Sequence, residues 1–189
     1  MNCTSKVTVI ESDAHSYYLA VDGEWAKFFV QEGVRNDGKT HYGYLSIISS
    51  FGTFGHCFSH MSLPLPAFLQ RTNFDYVMEK LHPKSRIFDW DKAIEKIKKE
   101  ILTVRRESPE GISKKEAREF WDSIVDFESD YGSFEHFLNK LAECAGRFWD
   151  DWSMWEDSEP TVPNPQCVGF WNTFWKPFLE VLSESREVA

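Results

Sequence analysis

The first 60 residues alternate short runs of β-branched and aromatic residues with strong turn signals, and this pattern constrains the fold more than any other feature. Such runs are typical of strands, and a Gly-containing turn between two of them is typical of a hairpin. The turn signals are Asp22-Gly23 and the stretch Gly33–Lys39. The predicted strands are Lys6–Glu11, His15–Val21, Trp25–Gln31, His41–Ser49 and a short one at Gly52–Phe58. We therefore expect an antiparallel β-meander of four to five strands.

Helical patterns follow the Leu-Pro-Leu-Pro sequence at 63–66. Apolar residues recur there at spacings of three and four, Asp89 is a candidate N-cap, and Ser113-Lys-Lys-Glu116 has the form of a capping box. The predicted helices are Ala67–Leu81, Trp90–Arg106, one from Ser113 to about Glu128, one from Ser133, and Phe170–Leu182 with a start or kink at Pro177. A loop is predicted at Asp157–Gln166.

Together these patterns predict an α+β fold, in which an N-terminal antiparallel β-meander of four to five strands packs with a C-terminal set of about five helices. We expect a β-rich part with one helix at residues 1–83 and a helical, acidic part at residues 84–189. At 189 residues the chain is short enough for the two parts to form one compact unit.

Negative charge is concentrated in the C-terminal part of the chain. Residues 1–117 carry 16 Lys and Arg against 15 Asp and Glu, a net of +1, whereas residues 118–189 carry 5 against 15, a net of −10. A surface of this charge attracts basic proteins and repels nucleic acid. We therefore expect a basic protein partner and no direct nucleic-acid binding by the acidic part.

The remaining composition indicates a cytoplasmic protein. The sequence has neither a long uncharged apolar run nor a signal peptide, so we expect no membrane association. The four cysteines are scattered, with no CxxC pair, which is typical of free thiols in a reducing compartment.

The most distinctive local sequence is FWDDWSMWED at 148–157, where tryptophans recur every three residues among acids. Arg pairs with carboxylates and stacks on indoles, and tryptophan is frequent among the residues that dominate interface energies. The candidate partner-binding residues are Asp150, Asp151, Trp152, Trp155, Glu156 and Asp157. Alternatively, the tryptophans of this segment close the core against Trp171 and Trp175, and the acids are simply solvated.

Metal and catalytic signals are weak. His56-Cys57-x-x-His60 offers three zinc ligands, but no fourth ligand is identifiable, so these three residues are only weak candidates. The carboxylates at 150–157 are also candidates for binding a divalent cation in a hydrolase site that includes His56 or His60. No GxSxG, HExxH or dinucleotide-binding motif occurs. We expect no cofactor and assign no catalytic residue.

The sequence YLSIISSFGTFGHCF at Tyr44–Phe58, followed by Phe68-Leu69 and DYVMEKL at Asp75–Leu81, resembles a group of uncharacterised tailed-phage and prophage accessory proteins. The resemblance covers roughly residues 25–85, with a strand, a Ser-x-Phe-Gly turn, an aromatic strand and a helix. It transfers no catalytic residue. It implies a small accessory protein in the cytoplasm of an infected bacterium, of a kind that often inhibits host defence or remodels host machinery by binding.

Three functions follow from these observations. The favoured hypothesis is an accessory protein that binds and inhibits a host nucleic-acid-binding defence protein through its acidic, Trp-rich surface. The second is a metal-dependent hydrolase that acts on nucleic acid or nucleotides. The third is a self-associating structural module, whose exposed aromatic residues pair with another copy of the chain.

Overall fold

The computed structural model describes residues 13–107, 112–125, 134–145 and 160–187. The chain divides into two compact units. The first, which we call the sheet unit, comprises Met1–Ser85 and Asn164–Ala189, and the second, the helical unit, comprises Arg86–Pro163. The helical unit is therefore an insertion, in sequence, between two parts of the sheet unit. An N-terminal four-stranded antiparallel sheet followed by helices confirms the predicted α+β class.

The sheet has the strand order β1-β2-β3-β4, so each strand pairs with its neighbour in sequence. The bounds are β1 (His15–Val21), β2 (Glu24–Val34), β3 (His41–Ser49) and β4 (Gly52–Met61). Asp22 and Gly23 both have positive φ, as the two central residues of a tight hairpin turn require. The meander prediction is thus confirmed for these four strands, and the predicted strand at 6–11 lies outside the described residues.

One face of the sheet is buried. Alternate residues of each strand point to the same side, so the buried residues follow a period of two. Ala26, Phe28 and Val30 of β2 and Leu45 and Ile47 of β3 all lie on this face and are at most 2% exposed. We call it the inner face. It packs in one hydrophobic core with residues from the helices of the sheet unit.

Two short helices follow the sheet where the sequence pattern predicts one. They are α1 (Leu65–Leu69) and α2 (Phe74–Leu81). The Asn73 side chain caps α2 by accepting a hydrogen bond from the Tyr76 backbone N–H at 3.0 Å. The cap starts a new helix at this point, so the single predicted helix Ala67–Leu81 is wrong in its continuity.

The C-terminal part of the sheet unit is a helical run that starts earlier than predicted. It consists of α6 (Pro165–Phe170), a π-helical segment (Trp171–Trp175) and α7 (Lys176–Glu187). Asn164 caps α6 by accepting from the Gln166 N–H at 2.9 Å. Pro177 lacks the N–H that would bond to the Thr173 carbonyl, and its ring would crowd that carbonyl in a regular α-helix. The wider π-helical turn directly before Pro177 is consistent with this.

The helical unit contains a two-stranded sheet and three described helices. These are β5 (Arg86–Phe88), α3 (Trp90–Glu107), α4 (Lys114–Val125), α5 (Phe134–Ala145) and β6 (Thr161–Pro163). The predicted N-cap is confirmed, because Asp89 Oδ1 accepts from the Lys92 N–H at 3.0 Å. The strand β6 replaces part of the predicted loop Asp157–Gln166, since Thr161–Pro163 pair with β5.

The helical unit has its own hydrophobic core. Trp90, Ile97 and Ile101 of α3 pack there with Phe120 of α4 and Phe137 of α5. In the described parts of the chain, no helix combines the length and the apolar character needed to cross a membrane.

Candidate functional site

The acidic, Trp-rich candidate segment lies outside the described residues. Asp150, Asp151, Trp152, Trp155, Glu156 and Asp157 all fall within 146–159. Their role as a partner-binding surface therefore stays a prediction from the sequence.

Beyond residue 117, α4 and α5 carry four acids with exposed side chains: Glu119, Asp122, Glu135 and Glu143. Two of them are in ion pairs within α4. Glu119 lies 3.7 Å from Lys115 Nζ, and Asp122 Oδ2 lies 3.0 Å from Arg118 Nε. Exposed pairs of this kind contribute little to stability and are screened by salt. They nevertheless reduce the local negative potential of α4.

The three weak zinc candidates do not converge. His56 pairs with Leu45 on the inner face, whereas Cys57 pairs with Tyr44 on the opposite face. Neighbouring residues of a strand point to opposite faces, so the His56 and Cys57 side chains diverge. His60 Nδ1 instead contacts the Ser59 hydroxyl at 2.9 Å.

His56 lies in a partly buried, aromatic environment. Its ring meets that of Phe58 edge to face, with centroids 4.8 Å apart. Burial lowers the pKa of His56, and the positive charge of Lys80 lowers it further. The neutral imidazole is therefore the favoured form at this position.

Within 13–107, 112–125, 134–145 and 160–187, no three His, Cys, Asp or Glu side chains are grouped closely enough to hold a metal ion.

The outer face of the sheet presents a set of exposed large side chains. We define this outer face by Tyr18, Trp25, Lys27, Phe29, Tyr44 and Ile48. Tyr18 is opposite Lys27, and Lys27 is opposite Ile48, so these three form a row across three strands. Tyr18 is 68% exposed, and Trp25, Tyr44 and Ile48 are each at least 40% exposed.

Polar groups of the outer face are held in defined contacts. Lys27 Nζ lies 5.1 Å from the centroid of the Phe29 ring, within cation–π range. A hydrogen bond with the Cys57 thiol raises the pKa of Tyr44, and the charge of that thiol and partial burial act in the same direction. The phenol therefore stays protonated at neutral pH, and its single O–H is engaged with the Cys57 sulfur.

Period-two alternation in β2 and β3 was the signal that could have identified the outer face. Tyr18, Trp25, Tyr44 and Ile48 contributed to the prediction only as strand-forming residues. Once one face is known to be covered by helices, the same alternation places these residues together on the other face. Clusters of exposed aromatic residues are typical of protein interfaces.

A polar cavity lies at the end of the sheet, next to the outer face. Its volume is about 810 Å³, and Arg35, Asp37, Tyr42 and Tyr44 line it. Arg35 Nε donates to the Ser59 carbonyl at 3.2 Å. A hydrogen bond from the Thr40 hydroxyl, together with the Thr40 and Lys39 backbone N–H groups, lowers the pKa of Asp37 to about 2. The Asp37 carboxylate therefore stabilises the loop between β2 and β3 by accepting hydrogen bonds within it.

The protein has an α+β fold, and the outer face of its four-stranded sheet is exposed. A family model, Phage_phiTE_072, described as a phage family, matches residues 4–182 of this chain. The match covers nearly the whole sequence, and the chain belongs to this phage family. The resemblance to phage proteins is thereby confirmed. No curated protein and no solved structure matches the chain.

Proposed function

We propose that this phage protein acts in the cytoplasm of the bacterial host by binding and inhibiting a nucleic-acid-binding defence protein. The acidic, Trp-rich segment at 148–157 is the proposed contact. The observation that carries the proposal is the charge distribution, in which residues 118–189 hold a net charge of −10 while residues 1–117 are almost neutral.

The proposed partner follows from the chemistry of this segment. Nucleic-acid-binding proteins present Lys and Arg to phosphates, and a closely spaced set of carboxylates competes for the same side chains. Asp150, Asp151, Glu156 and Asp157 would supply the charge, and Trp152 and Trp155 would stack on arginine guanidinium groups. Tryptophan and arginine are both frequent among the residues that dominate binding energy.

The test is capture of host proteins from a bacterial lysate, followed by identification and assay. We expect the protein to capture a basic nucleic-acid-binding protein, and heparin or DNA to displace the captured protein. A variant with Asp150, Asp151, Glu156 and Asp157 changed to the matching amides should lose this capture. The purified partner should cleave or bind its nucleic acid less well when the wild-type protein is added.

The described acids provide a matched control. Changing Glu119, Asp122, Glu135 and Glu143 to amides also removes four negative charges, but from exposed positions on α4 and α5. The control should retain most of the capture, because only the first set belongs to the proposed contact. Equal loss in both variants would show that net charge alone attracts the partner, and unchanged capture by the first variant would refute the proposal.

Self-association is a second candidate function, and the exposed outer face of the sheet favours it. Tyr18, Trp25, Tyr44 and Ile48 offer an apolar surface that a second copy could cover. Light scattering on the purified protein tests this candidate. A mass above that of one chain, which returns to 22.1 kDa in a Tyr18→Ser, Ile48→Ser variant, would support it.

A further inference from the structure

A groove between α3 and α4 of the helical unit combines an apolar floor with a cationic rim. Its volume is about 370 Å³. Leu102 and Trp121 form the exposed part of the floor, and Arg105, Lys114 and Arg118 form the rim. Among the described residues that line the groove, none is acidic.

The packing of the two helices explains the apolar floor. Ile101 of α3 and Ala117 of α4 are buried in the core of the helical unit. Leu102 follows Ile101 at the margin of the core, and the small side chain of Ala117 leaves space beside it. Leu102 is 45% exposed at this margin.

The positive charge of the rim is only partly neutralised by neighbouring acids. Arg118 uses its Nε to bind Asp122, but its side chain is 77% exposed and a guanidinium has further donors on its two Nη atoms. Arg105 and Lys114 are exposed on the facing helices α3 and α4. Lys98 Nζ lies 5.3 Å from the centroid of the Trp121 ring, which adds a fourth cation beside the floor.

We propose that this groove binds an acidic amphipathic segment of a partner protein. Leu and aromatic side chains of the segment pack on Leu102 and Trp121, and its carboxylates pair with Arg105, Lys114 and Arg118. Charge complementarity identifies the ligand, because an apolar floor with only cations on its rim favours apolar groups flanked by acids. A phosphate backbone would match the rim but would leave the apolar floor uncovered.

The described residues leave this floor partly open, because Leu102 is 45% exposed. This exposure favours an external ligand. The inference is independent of the function proposed above, because the groove is cationic and the segment at 148–157 is acidic. The two sites would therefore contact partners of opposite charge.

The experiment is a calorimetric titration of the full-length protein with a short amphipathic helical peptide, with Leu and Phe on one face and Glu on the other. A matched peptide carries Lys at every Glu position. We expect the Glu peptide to bind at least about tenfold more tightly than the Lys peptide, and more weakly as salt rises.

Three surface variants locate the binding. Arg105→Glu with Lys114→Glu should weaken binding of the Glu peptide about tenfold, because two attractive contacts become repulsive. Leu102→Ala should weaken it about fivefold through lost apolar contact. Arg106→Glu with Lys115→Glu is the matched control, since it reverses two neighbouring exposed cations outside the groove, and it should change binding by less than about twofold. Circular dichroism should show the same helix content in all four proteins.

Four results would overturn the inference. Equal binding of the two peptides would show that only apolar contact matters. Equal loss in the rim variant and in the Arg106→Glu, Lys115→Glu control would show only long-range attraction. A dimer in light scattering that Leu102→Asp dissociates would assign the groove to a second copy. Binding that occurs only after Asp150, Asp151, Glu156 and Asp157 become amides would assign the groove to the chain's own acidic segment.

Discussion

Phe28 of β2 and Phe178 of α7 stack face to face, with ring centroids 4.0 Å apart and ring planes within 5° of parallel. Both side chains are fully buried. Phe170 of α6 lies against the same Phe28 ring, at 6.1 Å between centroids. The last helices of the chain thus complete the inner-face core, although they follow the helical unit in sequence.

The first prediction is that Phe178→Ala destabilises the sheet unit by about 3–5 kcal/mol. The change removes the stacking partner of Phe28 and leaves a cavity that the rest of the core fills only in part. Hydrogen exchange of the β2 amides measures the free energy of unfolding of this unit. Tyr18→Ala on the outer face is the control, and it should change that free energy by less than about 1 kcal/mol. An equal effect of the two changes would contradict the core position of Phe178.

The position of α7 could not be predicted from the sequence. The apolar spacing from Phe170 to Leu182 predicts a helix with a buried face, but it does not say which surface covers that face. Phe28 and Phe178 are 150 positions apart, and between them lies a unit with a core of its own. Contacts of such separation depend on the whole topology, whereas the strands of a meander pair with their nearest neighbours.

The capping box of α4, in contrast, was predicted accurately from local sequence. In the capping box, the Ser113 hydroxyl accepts from the Glu116 N–H at 3.2 Å, and the Glu116 carboxylate accepts from the Ser113 N–H at 3.0 Å. The atoms involved lie within three residues, so the sequence contains all the information needed. Asn73 is also a local N-cap. It was not predicted, because the apolar pattern continues through 67–81 and indicates one continuous helix.

The second prediction concerns this capping box. Ser113→Ala should destabilise the helical unit by about 1 kcal/mol, because the Glu116 N–H loses its acceptor. Glu116→Gln should have a smaller effect, since the amide oxygen still accepts from the Ser113 N–H. Hydrogen exchange of the α4 amides measures both changes. The prediction is contradicted if Ser113→Ala leaves the exchange of the first turn of α4 unchanged.

Exposure of the candidate sites could be predicted only in part. Alternation in β2 and β3 assigns Trp25, Tyr44 and Ile48 to one face of the sheet. It does not predict that helices cover the other face and leave this one exposed. The groove between α3 and α4 is lined by residues of both helices, and the charge and apolar patterns of the separate helices do not reveal which residues meet there. The partner-binding role of residues 150–157 stays a prediction.

The third prediction is a pH dependence that originates at His56. Burial and Lys80 lower the pKa of His56 below its ordinary value of 6.5, so the unfolded chain binds the proton more readily. The contribution of His56 to the free energy of unfolding should therefore be fully present above pH 6.5. It should be lost as the pH drops from 6.5 through the folded-state pKa. The midpoint of thermal unfolding, measured between pH 7 and pH 5, should fall less in His56→Gln than in the wild type.

Lys80 provides the control for the cause of this shift. Lys80→Gln should raise the pKa of His56, measured by NMR titration of the imidazole, because it removes a positive charge that opposes protonation. The remaining shift is due to burial. An unchanged pKa in this variant would refute the contribution of Lys80.

The fourth prediction concerns the loop between β2 and β3. Three hydrogen bonds from Thr40 and Lys39 hold the Asp37 carboxylate and lower its pKa to about 2 from the ordinary value of 3.8. Thr40→Val removes the hydroxyl donor, which makes the largest contribution, and should raise the pKa of Asp37 toward 3.8. NMR titration of the side-chain carboxyl carbon measures the shift.

Because the folded-state pKa is lowered, the ionised carboxylate stabilises the loop above pH 3.8 and loses this effect as the pH falls toward 2. Thr53→Val, on β4, should leave the titration unchanged, and a wild-type pKa near 3.8 would show that these hydrogen bonds do not hold the loop in solution.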